Sequence, residues 1–186
     1  MKKGNIIYLN GVSSAGKSTL AKELQAFLEK AYYVFSVDTF KDMSPKKFMD
    51  SDKEEDEDIW LDAIINMYHT IKMYSDKGYN VIVDDVFDDF YLFDKARSIL
   101  HDSPVTFVHV TCPTEELNRR EKARGDREIG LAKSQLPELY PLDNLCDVTV
   151  DTYLETTQQC CEKIFTSLNS GNNNAFKILW ERKNKS

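Results

Sequence analysis

Residues 11–19 read Gly11-Val-Ser-Ser-Ala-Gly-Lys-Ser-Thr19, set between an apolar stretch, Asn5 to Asn10, and a helical pattern. Gly11, Gly16, Lys17 and Ser18 occupy every fixed position of the G-x-x-x-x-G-K-[ST] phosphate-binding loop. Small residues let the backbone curl until successive N–H groups point at one polyphosphate. The helix that opens at Lys17 adds the positive end of its dipole. The stretch therefore predicts an α/β P-loop fold with a nucleotide site formed by Gly11, Ser13, Ser14, Ala15, Gly16, Lys17, Ser18 and Thr19. Lys17 is expected to reach the β- and γ-phosphates of ATP, and the Ser18 hydroxyl to ligate Mg²⁺. The bland alternative is a Gly/Ser turn that binds nothing, and its placement between strand and helix argues against that.

The chain has 186 residues, 41% hydrophobic and 30% charged, which suits one soluble domain with a full-sized core. Its apolar runs are strand-sized, so no membrane span is expected. No signal-peptide pattern precedes the first strand, and the expectation is a cytosolic protein. Cys112, Cys146, Cys160 and Cys161 lack paired metal-ligand spacing and read as reduced, packed thiols. The formal net charge of −7 argues against a nucleic-acid surface. His69, His101 and His109 share no metal spacing.

Apolar strands alternating with amphipathic helices predict a five-stranded parallel sheet covered on both faces, a three-layer architecture. Strands are expected at Asn5–Asn10, Tyr32–Val37, Tyr79–Val83, Pro104–Val110 and Asp147–Val150. Helices are expected from Lys17 to about Lys30, from Trp60 to Tyr74, from Phe90 to Leu100, after Pro113, after Gly130 and around Cys161 to Leu168, with 40–58 irregular. The kinase domain is read as 1–168, with a lid at about 119–136, and 169–186 as linker and tail. No internal repeat is present.

In parallel α/β sheets, ligands bind beyond the carboxyl ends of the strands. Asp84 ends the third strand, where a carboxylate can hold Mg²⁺ beside a phosphate loop, and Asp85 is its rival. A solvated loop carboxylate or helix cap is the alternative. Asp38 ends the strand expected beside the loop strand and could take the proton of an attacking hydroxyl, with a cap role as competitor. Arg119, Arg120, Lys122, Arg124 and Arg127 crowd the end of one helix and the Arg-Gly-Asp-Arg turn after it. They read as a lid whose arginines neutralise charge as the γ-phosphoryl leaves, or as a solvated face paired to Glu115, Glu116 and Glu121. The seven carboxylates between Asp50 and Asp58 read as a solvated loop, or as a surface favouring a cationic substrate.

LNGVSSAGKST, SVDTF, VIVDDVF, VTCPTEELNRREKARGDREIGLAKSQ and CDVTVDT occur in that order across residues 5–152. Together they resemble the chloramphenicol phosphotransferase-like family. The resemblance implies a nucleoside-kinase-like P-loop fold with an arginine-rich lid and ATP-dependent phosphorylation of a small-molecule hydroxyl. It implies phosphate binding at Gly11 to Thr19, a general base at Asp38, and lid roles for Arg120, Arg124 and Arg127. The sequence departs from the pattern in the short acidic segment between Thr39 and Trp60 and in the tail beyond Leu168.

The expected activity is thus an ATP- and Mg²⁺-dependent kinase with a small hydroxylated acceptor, in which Lys17, Arg124 and Arg127 stabilise the moving group and Asp38 activates the acceptor. A nucleoside or nucleotide kinase is the near rival. A nucleotide-dependent regulatory module is the distant one, since no guanine-reading stretch follows a late strand. Neither the acceptor nor the oligomeric state is written in these motifs.

Overall fold

Five short strands form the centre: β1 (Ile6–Asn10), β2 (Tyr32–Ser36), β3 (Asn80–Asp85), β4 (Val105–Thr111) and β5 (Val148–Asp151). They pair in parallel in the order β2-β3-β1-β4-β5. The computed structural model describes residues 2–45, 54–125 and 129–183, without the side chains of residues 54–58. Arg127 and residues 50–53 of the acidic run therefore lie outside the described residues.

The helices are α1 (Lys17–Phe27), α2 (Val37–Asp42), α3 (Glu54–Asp76), α4 (Phe90–Leu100), α5 (Thr114–Arg124), α6 (Leu131–Gln135), α7 (Thr157–Ser170) and α8 (Ala175–Lys183). β1 is buried along its whole length, because helices cover both sheet faces. Side-chain alternation divides the core in two. Ile7 and Leu9 join Ile82, Val108 and Val110 under Leu20, Leu24 and Ile164, which come from α1 and α7. Ile6 and Tyr8 join Val81, Val83 and Phe107 under residues of α3, α4 and α8, among them Met67, Phe93 and Phe176. The three layers are thus helix, sheet, helix.

Two expectations need correction, and the tail, whose docking the sequence left open, gains a place. β2 is not beside β1, because β3 lies between them, with Leu9 opposite Asp84 and Ser36 on the far side of the same residue. β1 is already paired on both sides, and β2 has the exposed Tyr33 and Val34 of an edge strand. Residues 40–58 are not all irregular. α2 continues to Asp42, and α3 begins at Glu54 and runs for 23 residues. Carboxylates favour a helix N-terminus, so the acidic run belongs in part to that helix. Finally, residues 175–183 form a helix whose Phe176 reaches Tyr8, at a ring-centroid distance of 5.6 Å.

Candidate active site

The carboxyl ends of the strands open onto a cavity of about 650 Å³ that holds the phosphate loop, Asp38, Asp84 and the arginines of α5. Its floor is the loop between β1 and α1. Gly11 lies so close to β4 that a Cβ there would sit 2.3 Å from the Val110 carbonyl oxygen. Gly16 closes the loop at φ +92°, a conformation that favours glycine.

The loop is held from outside by its carbonyls. Lys17 Nζ donates to Val12 O at 3.0 Å, Arg120 Nη1 to Ser14 O at 3.3 Å, and Thr152 Oγ1 to Ala15 O at 2.7 Å. Ser14 adopts a positive φ of 60°, and its Oγ is buried with no hydrogen-bond partner among the described residues. An unpartnered hydroxyl beside helix-start amides fits a polyphosphate ligand.

Ser18 Oγ donates to Asp84 Oδ2 at 2.6 Å, and Lys17 Nζ stands 3.9 Å from the same carboxylate. Asp85 points to the opposite sheet face, where Tyr8 and Tyr68 donate their hydroxyls to it and the Val86 N–H adds a bond at 2.7 Å. Burial raises its pKa to about 6 against those hydrogen bonds. Both aspartates line the cavity, but Asp84 meets Ser18 and Lys17 there, whereas the Asp85 carboxylate is held by the core tyrosines. A phosphate-borne Mg²⁺ needs only one or two protein oxygens, and Ser18 with Asp84 supplies such a pair.

Asp38 lies in the first turn of α2 and lines the cavity. It is not the cap of that helix; Ser36 is, accepting the Thr39 N–H at 3.2 Å. Arg119 and Arg120 both bind Glu116, whose pKa falls to about 2 through those hydrogen bonds. Arg120 spends its other N–H groups on Ser14 O and on Thr152 Oγ1 and O, so it braces the loop. Arg124 ends α5 and lines the cavity.

The structure thus brings together Ser13, Ser14, Gly16, Lys17, Ser18, Thr19, Asp38, Asp84, Arg120 and Arg124 around one cavity, with Gly11 and the buried Ala15 behind the loop. Sequence reasoning gave no site role to Gln135, Asp88 or Trp60, which also line it, and named Thr152 only as a polar strand end on the ligand-binding edge. Thr152 had a signal, its place immediately after β5. Trp60, carrying the Lys41 ammonium 5.3 Å over its ring, read only as a core position of its helix.

The profile described as "Chloramphenicol phosphotransferase-like protein" matches residues 4–169. A Mycobacterium tuberculosis protein named as an inferred O-phosphotransferase is 32% identical over 179 residues, covering 84% of this chain and 77% of its own. An adenylyl-sulfate kinase of Clostridium acetobutylicum is 26% identical over 180 residues, covering 90% and 84%. Among solved structures, the APS kinase of Mycobacterium tuberculosis in complex with AMPPNP and APS superposes with a TM-score of 0.69 at 16% identity, over 91% of this chain and 100% of that one. Shikimate kinase from Acinetobacter baumannii gives 0.61 at 16% identity, over 92% and 96%. Sheet order, phosphate loop and sequence kinship agree: the chain belongs to the chloramphenicol phosphotransferase-like family of P-loop kinases.

Proposed function

We propose that this protein transfers the γ-phosphate of ATP to a hydroxyl of a small molecule. The observation that carries the proposal is the juxtaposition in one cavity of a braced phosphate loop, the Ser18–Asp84 oxygen pair and the Asp38 carboxylate. Lys17 and the inward loop amides would bind the β- and γ-phosphates. Ser18 and Asp84 would hold Mg²⁺, which would supply positive charge to offset that of the phosphates. Arg124, with Arg127 three positions further along the sequence, would stabilise the phosphoryl group as it moves. Arg120 would support the loop from behind. Residues 1–168 would carry this machinery, with α8 completing the core beneath it.

An alcohol is a poor nucleophile, and its proton needs an acceptor as the O–P bond forms. Lys17 would be committed to the phosphates, and Asp84, with Ser18, to the cation. Asp38 is the remaining carboxylate of the predicted set, and it enters the cavity from α2, away from the loop. The near alternative is a nucleotide-component acceptor, favoured by the kinship to adenylyl-sulfate kinases. Screening neutral metabolites, antibiotics and nucleosides for stimulated ADP release separates the two. With the acceptor in hand, Asp38→Asn should keep ATP–Mg²⁺ affinity and lose single-turnover transfer by about 10²–10⁴-fold. Transfer within about threefold of wild type would remove Asp38 as the base.

A further inference from the structure

Gln135 bridges two parts of the cavity with one side-chain amide. Its Oε1 accepts the Ser13 N–H at 2.8 Å, and its Nε2 donates to Asp88 Oδ2 at 2.7 Å. Ser13 belongs to the phosphate loop, and Asp88 lies on the connection from β3 to α4, four residues beyond Asp84. All three residues line the cavity, and Ser13 and Gln135 are 122 positions apart in the chain.

The bridge is itself supported. Gln135 ends α6, and the start of that helix is tied to α5 by Glu121, a fully buried residue. The Glu121 carboxylate accepts the Gly130 N–H at 2.8 Å and the Ala132 N–H at 2.7 Å. The start of α6 is therefore clamped by Glu121, and its far end is clamped on the loop and on Asp88. A charge-assisted bond to a carboxylate is among the stronger fixed contacts a neutral amide can make.

We propose that Gln135 is a positioning residue of the phosphoryl-transfer site, holding the phosphate loop and Asp88 in fixed register. The inference rests on the kinase reading above and deepens it. A glutamine suits the task because it accepts at one end and donates at the other. Glutamate would accept from Ser13 equally well but would set a second carboxylate against Asp88. Methionine would fill the space and make neither bond.

The register can be tested by reversing the bridge. In Q135E/D88N, the new amide at 88 can donate to the new carboxylate at 135, which still accepts the Ser13 N–H. AMPPNP–Mg²⁺ affinity, ADP release with the acceptor identified by the screen above (kcat and KM for ATP) and thermal midpoint would be measured for wild type, Q135M, Q135E and Q135E/D88N. The expectation is that Q135M and Q135E lower kcat by about tenfold or more, with KM for ATP within about threefold, and that Q135E/D88N recovers to within about threefold of wild type. Wild-type kcat in Q135M, or Q135E/D88N no better than Q135E, overturns the assignment. Loss of thermal midpoint with unchanged kcat also overturns it, since the bond would then be structural only. Failure of wild type to bind AMPPNP–Mg²⁺ would instead strike the kinase reading, and this inference with it.

Discussion

Lys17 shows how a single residue can be placed by two needs at once. Its ammonium is 7% exposed, donates to Val12 O and stands near Asp84, so the charge is stabilised before any phosphate arrives. Removing it should both weaken phosphate binding and loosen the first half of the loop. Lys17→Ala is expected to lose AMPPNP–Mg²⁺ affinity by at least about tenfold, as loss of a charge-assisted contact worth about 1.5–3 kcal/mol would give. Calorimetric titration of both proteins checks this, and equal affinities would sink it. Most of the loop residues that line the cavity were legible because the motif fixes their spacing along the chain. Gln135 was not, because its meaning depends on Ser13 and Asp88, which approach it only in the folded chain. Arg120 was legible as part of the site, though not as a brace, since nothing in a run of arginines says which one turns back onto Ser14 and Thr152.

At the scale of elements, local chemistry accounts for most boundaries. α7 opens with a capping box in which Thr156 and Gln159 exchange hydrogen bonds, and α5 stops at Gly125 in a left-handed conformation. The place of β2 was not legible, because apolar patterning reports burial but not which strand lies beside which. The placement of α6 depends on an element contact too. Glu121 reads as one more charge on a polar helix, yet it is fully buried and accepts two N–H groups from α6. Glu121→Ala would leave both donors unpaired, at a cost of about 1–3 kcal/mol each where water cannot reach them. Amide hydrogen exchange at Gly130 and Ala132 should then accelerate by at least about tenfold, while β1 amides keep wild-type protection relative to global stability. Unchanged exchange at Gly130 and Ala132 would show that Glu121 does not hold the start of α6.

Across the whole molecule, α8 joins the last part of the chain to the first strand. Phe176 is 2% exposed and lies against Tyr8, Phe87 and Phe107. Arg97 donates to Leu179 O at 3.1 Å, and Lys183 pairs with Asp94 at 2.5 Å. Burial alone would raise the Asp94 pKa, but hydrogen bonds from Lys183 and Arg97 hold it below the ordinary value of 3.8. The stabilisation from a lowered carboxylate is present above that ordinary value and is lost as pH falls through the lowered one. The destabilisation caused by Lys183→Ala should therefore be constant from about pH 8 to about pH 5 and shrink only below about pH 4. Urea denaturation across that range tests it, and a change between pH 6 and 8 would point to another partner. The docking of α8 also has a consequence for synthesis. Tyr8 leaves the ribosome well before Phe176, one of the rings that pack on it. Until Phe176 follows, the face of β1 and β4 beneath α8 is bare and apolar, and the emerging polypeptide must be kept from sticking to its neighbours.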